Sequence, residues 1–256
     1  MASHIDTESA EVNPSEITLL ITRPAPAAAR FAQEAERALG PFAETLLSPV
    51  LRIVPVGPVP PLPAQAEIAF TSENAVRVAA PALRDVRRPV WCVGTRTGAA
   101  ARAEGLIPRI AQGTAEQLAE DVIAAAPEGP VLHLAGAHQA GNLVERLVAA
   151  GLRAERVAIY DQRPVPLTDV ACKALRAPGP LLLPLFSPRS AALVADAVTG
   201  AHAAAPIHVV ALSSAVASAW SAAPPSTTRS ITTASAPDTR AMIEAMRYIV
   251  GTISGA

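Results

Sequence analysis

One short pattern recurs along this chain: an apolar run, a few small or polar residues, then an Ala-rich amphipathic stretch. In "AEIAFTSENAVRVAA", residues 66–80, Ile68, Ala69 and Phe70 read as a strand, and Ala75, Val76, Val78 and Ala79 as a helix. Thr71, Ser72, Glu73 and Asn74 stand between them. The plan returns in "ITLLITRPAPAAARFAQEAERALG", "PVWCVGTRTGAAARAEG", "PVLHLAGAHQAGNLVERLVAAG", "PLLLPLFSPRSAALVADAVTG", "PIHVVALSSAVASAW" and "TRSITTASAPDTRAMIEAMRYIV". Strands alternating with helices of this length predict parallel sheets covered by helices on both faces, an α/β fold. The repeat runs at about 30 residues with no fixed motif, which excludes a solenoid.

Two proline-rich, extended segments break the rhythm: "SPVLRIVPVGPVPPLPAQ", residues 48–65, and "RVAIYDQRPVPLTD", residues 156–169. A lone βα unit cannot bury a sheet, so the unit before residue 50 is expected to join those after 168. This predicts two parallel-sheet α/β domains joined by a two-stranded linker ladder, with an active-site cleft between them. One is a discontinuous domain of residues 17–50 and 166–256, and the other an inserted domain of residues 53–159. Residues 1–16, "MASHIDTESAEVNPSE", are polar and read as a loose, disordered leader without a signal peptide's apolar core. Half of the chain is hydrophobic and 17% is charged, enough for well-buried cores. No apolar run spans a bilayer, so a cytoplasmic protein without membrane contact is expected.

Several chemistries are disfavoured at once. Net charge is −1 and aromatics make up 3% of the chain, so there is no footprint for nucleic acid. Cys92 and Cys172 are far apart, and His133 and His138 straddle a strand-to-turn junction, which is not metal-ligand spacing. Phosphate-binding glycine motifs and the G-x-S-x-G elbow are missing.

The polar junctions remain. Ligands of open parallel sheets bind beyond the carboxyl ends of the strands, where helix N-termini attract anions. Thr71 and Ser72, Thr97, Ser187 and Ser190, and Ser213 and Ser214 all fall at such junctions. They read either as helix caps or as donors to a multi-carboxylate or phosphate ligand. Tyr160, one of two tyrosines, ends the strand "RVAIY" at the second crossover. It is either a packing residue with its hydroxyl in water or a hydrogen-bond donor and weak general acid.

With these residues placed, the chain resembles the uroporphyrinogen-III synthase family from about residue 17 to 250. "LLITRP", "FTSENAV", "VGTRTGAAARAEG", "VLHLAGAHQAGNLVERLVAAG" with "VAIYDQRP", and "FSPRSA" follow that family's motifs in order. The resemblance implies a cofactor-free, monomeric enzyme of tetrapyrrole (haem, chlorophyll, cobalamin) biosynthesis. Such a lyase cyclises hydroxymethylbilane to uroporphyrinogen III, inverting ring D and losing water, and makes transient contact with hydroxymethylbilane synthase. It further implies Tyr160 as the donor to the departing hydroxyl, and Thr97, Ser72, Ser187 and Ser190 near the substrate. Arg23 is a candidate carboxylate partner, and Thr71, Ser213 and Ser214 are further donors. There are departures: Ala215 and Val216 stand where many members carry Thr-Thr, Ala135 where Arg is frequent, and Gly98 where Ala is usual. The alternatives are a two-domain anionic-ligand binding protein or an inactive synthase-like regulatory domain.

Overall fold

A computed structural model describes residues 14–138 and 141–254. The strands are β1 (Thr18–Ile21), β2 (Glu44–Leu47), β3 (Leu51–Pro55), β4 (Glu67–Phe70), β5 (Val90–Cys92), β6 (Pro108–Ile110), β7 (Val131–Gly136), β8 (Ala154–Pro164), β9 (Leu181–Leu185), β10 (Ile207–Ala211) and β11 (Thr228–Thr233). The helices are α1 (Ala27–Leu39), α2 (Glu73–Ala79), α3 (Thr95–Ala103), α4 (Ala115–Ala125), α5 (Leu143–Ala149), α6 (Asp169–Arg176), α7 (Pro188–Gly200), α8 (Ser214–Ser221) and α9 (Thr239–Ser254). The chain divides into two compact units, one of residues up to Arg52 and from Pro164 onward, the other Ile53–Arg163.

The first unit is a five-stranded sheet in the order β11-β10-β9-β1-β2, and its recorded pairs are all parallel. Its strands are apolar because helices cover both faces. Trp220, Val194 and Leu183 pack on one side, and Phe31, Met242, Met246 and Leu182 on the other. β9 is buried throughout although Pro184 lies inside it. The Pro180 carbonyl accepts the Thr18 N–H, so even-numbered residues of β9 face β1. The N–H that Pro184 lacks therefore belongs to that ladder. Recorded β1–β9 pairing ends at Leu19↔Leu182, whereas β9 and β10 stay in register through Ala211↔Leu185.

In the second unit the order is β3-β8-β7-β4-β5-β6. The pairs β4–β5, β4–β7, β5–β6 and β7–β8 are parallel. The two proline-bounded strands expected as a separate ladder, β3 and β8, are neighbours at one edge of this sheet. Phe70, Leu83, Leu134 and Ile159 fill one face, and Leu118, Val122, Leu143 and Leu147 the other. The β7–β8 register shifts between Ala135 and Gly136: Ala135 pairs with Ala158 and Gly136 with Tyr160, leaving Ile159 as the extra residue.

One expectation changes. Most of the leader lies outside the described residues, but Pro14–Glu16 form a 3-10 turn with Pro14 buried. The Pro14 carbonyl accepts the Ile17 N–H, so the chain is organised before residue 17. At α4, Thr114 caps the Gln117 N–H at 3.1 Å, and the Gln117 side chain turns outward to Glu120.

Gly129 shows how tightly the strands of the second unit enter the sheet. A β-carbon there would lie 1.7 Å from the Gln65 main-chain oxygen. The next residue, Pro130, accepts the Glu67 N–H at the start of β4. Gly129→Ala should lower stability by roughly 1–3 kcal/mol, because main chain rather than a side-chain tip must move. Urea unfolding would measure it, and wild-type stability would show that the two turns separate at little cost.

Candidate functional site

Strand order locates the site independently of any motif. In the first unit the chain runs from β1 outward to β2, then returns to β9 and builds in the opposite direction. In the second, β4, β5 and β6 run one way and β7 and β8 the other. The reversals fall between β1 and β9 and between β4 and β7. There the crossover helices leave opposite faces and a crevice opens at the carboxyl ends of the strands.

At the second unit's reversal, Thr71 follows β4 and its Oγ1 is hydrogen-bonded to His133 Nε2 of β7 at 2.9 Å. Ser72 adopts extended backbone as the N-cap of α2, and its Oγ accepts the Asn74 N–H at 3.1 Å. The Tyr160 hydroxyl donates to the same Oγ at 3.4 Å. Tyr160 is 4% exposed, so it is neither on the surface nor simply hydrated. Two hydrogen-bonded pairs, Thr71–His133 and Ser72–Tyr160, thus tie the residues that follow β4 to β7 and to β8; His133 and Tyr160 lie within those strands, and β8 runs on to Pro164 rather than ending at the tyrosine. Glu73 in the first turn of α2 is paired with Arg77 at 3.0 Å, which moderates its charge at that helix start.

His133 is 3% exposed and its imidazole is pushed down to about 4, by burial first and then by the Arg156 guanidinium, with Glu145 opposing. It is therefore neutral near pH 7 and offers one donor and one acceptor. Cys92, at the end of β5, is pushed up to about 12 by burial and remains a thiol.

At the first unit's reversal, the Arg23 guanidinium lies 4.2 Å from the centroid of the Phe186 ring. Phe186 in turn meets Phe31 edge-on at 4.8 Å. The cation is thereby held over an aromatic face at the carboxyl end of β1. Ser187 caps α7, accepting the Ser190 N–H at 3.1 Å, and the two hydroxyl oxygens are 2.6 Å apart. Ser190, itself buried, also donates to the Ser187 carbonyl. These hydroxyls are engaged chiefly with one another.

The remaining candidates stand elsewhere. Thr97 is in the first turn of α3, beside β5, and is buried. Ser213 is the N-cap of α8 but makes no side-chain capping bond, and Ser214 is exposed. Both follow β10, one strand further from the reversal. His133, Gly136 and Phe186 touch the candidate residues, and Arg156 donates to the Gly136 carbonyl, but none of them is among the candidates read from the sequence. The signal for His133 was a lone polar residue in the apolar run "PVLHLAG"; Gly136 and Phe186 stand inside the motifs "VLHLAG" and "FSPRSA", and nothing near Arg156 set it apart. Among the described residues, no group of His, Cys, Asp or Glu is arranged to hold a metal ion, and no helix is long and apolar enough to cross a membrane.

The family model described as "Uroporphyrinogen-III synthase HemD" matches residues 30–244. This chain belongs to that family. The match is narrower than the resemblance read from the sequence, and Arg23 lies outside it. The chain also resembles a uroporphyrinogen-III synthetase crystal structure from Helicobacter pylori, with a TM-score of 0.61 and 15% identity over 91% of this chain and 99% of that one. A mutant uroporphyrinogen III synthase from the extremely thermophilic bacterium Thermus thermophilus superposes less well, with a TM-score of 0.48 and 14% identity over 94% and 100% of the two chains. No curated protein matches the sequence significantly. The first of these structures shares the HemD fold of two mainly parallel sheets. Of the departures from the family pattern, Val216 is buried, and a β-carbon on Gly98 would fall 2.5 Å from the Ile110 side chain, which occupies the place of an alanine methyl.

The neutral imidazole has a consequence for stability. The unfolded chain protonates His133 near its ordinary value, but the folded protein does so only near 4. Between these pH values the unfolded state binds more protons, so stability falls as pH drops through that window and levels off below it. His208 is lowered too, by burial and by Arg229, and adds in the same direction. His133→Gln, which retains a hydrogen-bonding group toward Thr71, should reduce this loss by on the order of 3 kcal/mol. Urea unfolding at a series of pH values would show a flatter profile for the variant, and parallel profiles would mean that His133 titrates alike in the folded and unfolded protein.

Proposed function

We propose that this protein is a uroporphyrinogen-III synthase, converting hydroxymethylbilane to uroporphyrinogen III with inversion of ring D and release of water. Family membership supports the substrate class. The observation that weighs most for the chemistry is the meeting of Tyr160 with Ser72 at a strand reversal, because it joins two motif residues that are distant in sequence.

In this reading the Tyr160 hydroxyl donates to the hydroxyl that leaves the terminal methylene of the linear tetrapyrrole, which departs as water. The resulting azafulvene is electrophilic. Ring D attacks it through its substituted carbon, giving a spiro intermediate that fragments and recloses as the inverted isomer. No strong base is required. The unguided reaction closes the ring without inversion, so the protein's main contribution is to hold one conformation. Thr71, Ser72 and the N–H groups opening α2 are donors suited to carboxylates, and Arg23, held on Phe186, is a cation suited to another. The neutral His133 keeps the Thr71 hydroxyl in place without adding charge. Thr97, Ser187 and Ser190 act in this scheme through the geometry of their helix starts, and Ser213 and Ser214 as peripheral donors.

The decisive measurement couples porphobilinogen and its deaminase, which supply hydroxymethylbilane in situ, to this protein. Oxidised products are then separated by chromatography. A shift from the type I to the type III isomer is expected. Type I alone, from folded protein, would leave the reading of a binding or regulatory member of the family, which the alanine and valine at positions 215 and 216 favour.

The hydroxyl pair gives a second test. Tyr160→Phe should reduce kcat by roughly 10- to 100-fold with little change in KM. Ser72→Ala alone should lower kcat less, and in the Tyr160→Phe background it should lower it no further, because the two hydroxyls act as one unit. Additive losses would mean that they act separately, and a Tyr160→Phe variant at full rate would remove Tyr160 from the mechanism.

A further inference from the structure

The alternation of a β-strand should send Ile159 and Tyr160 to opposite faces of the sheet. Instead both are buried in the same cluster, together with Phe70, Val76 and Leu134. The register shift opposite Gly136 accounts for this. One extra residue on β8 reverses the parity at Tyr160 and turns its ring toward the α2 side, where Ser72 stands.

The ring then needs room, and Gly136 provides it. Gly136 is the register partner of Tyr160. A β-carbon on Gly136 would lie 2.7 Å from the Tyr160 Cζ, 2.9 Å from Cε2 and 2.9 Å from the hydroxyl oxygen. The phenol end of the ring therefore rests directly over the glycine main chain. That main chain is tied back to β8 on either side of the bulge. The Ala137 N–H donates to the Tyr160 carbonyl at 2.7 Å. Arg156 donates to the carbonyls of Gly136 and of Ala137, the latter at 3.0 Å.

We propose that Gly136 and Arg156 are positioning residues for the Tyr160 hydroxyl: Gly136 is the seat on which the phenol rests, and Arg156 holds the main chain of that seat. Neither touches the reacting atoms. Both act by directing the hydroxyl toward Ser72. The catalytic part of this inference rests on the role proposed above for Tyr160, whereas the seat itself is testable without activity.

A methyl group at position 136 would push the ring by about 1 Å to reach ordinary carbon contact distance. Displacement of that size can cost on the order of tenfold to a hundredfold in rate. Gly136→Ala should therefore lower kcat by that factor in the isomer assay with little change in KM. Arg156→Ala should lower kcat in the same way, and Arg156→Lys should restore part of it.

The activity-independent readout uses the fact that the chain has two tyrosines. Tyr248 is 69% exposed on α9. In a Tyr248→Phe background, nitration by tetranitromethane, read by mass on the tryptic peptide, reports Tyr160 alone. Nitration should be slow in the parent and faster by roughly tenfold in Gly136→Ala, as the ring leaves its seat. Unchanged nitration and unchanged kcat in a folded Gly136→Ala variant would overturn the proposal. Faster nitration with full activity would support the seat and sink the role of Tyr160 instead. If Gly136→Ala does not fold, it is to be made in a Tyr160→Ala background, where the ring is gone. Recovery of folding there supports the seat, and continued failure to fold overturns it.

Discussion

Parallel strands cannot be joined by tight turns, so each must be followed by a crossover that carries the chain back over a face of the sheet. This requirement brings the carboxyl end of every strand to the start of a helix and collects unpaired N–H groups along one edge. Both units obey it. The edge is not uniform, because each sheet is built outward from its middle. Where the building direction reverses, neighbouring crossovers leave on opposite faces. Missing pairing deepens the gap: Pro184 cannot donate to β1, and the β4–β7 ladder ends at Ala69↔His133. The Thr71–His133 bond lies across the second gap and the Arg23–Phe186 contact beside the first.

The hydroxyls at these edges differ in what they have left to offer. Ser187 and Ser190 close on each other. Ser72 caps α2 and also receives the Tyr160 hydroxyl, linking the helix start after β4 to β8, two strands away. Charge is managed in the same restrained way. His133 stays neutral because burial and Arg156 both oppose its protonation. The arrangement favours directed hydrogen bonds over strong acids and bases, which fits the proposed reaction, whose outcome depends on conformation more than on proton transfer.

Local signals are legible wherever one residue and its immediate neighbours decide the outcome. Ser72, Thr114 and Ser187 cap helices because a short hydroxyl reaches an N–H two or three residues ahead whatever the rest of the chain does. The signals fail where a distant partner decides. Thr97 looks like a donor by its motif, yet α3 turns it inward. His133 invites comparison only with metal ligands, because nothing near it in sequence announces Thr71. Gly136 resembles an ordinary turn glycine, and its reason is the ring of Tyr160 on the next strand. Pro14 belongs to a polar stretch, but it is buried with its γ-carbon near Gly40.

By itself the sequence determined the α/β class, the rhythm of strands and helices, the helix starts, and the family whose motifs it carries in order. The first three follow from periodicity, capping and composition, which act over a few residues, and the family from the resemblance of its motifs. Only the tertiary structure decided the order of strands, and with it the two reversals. It also decided the bulge that turns Tyr160 to the side of Ser72, and the neutrality of His133. Each of these depends on which distant segments come into register, and a one-residue shift in register moves a side chain to the opposite face of a sheet.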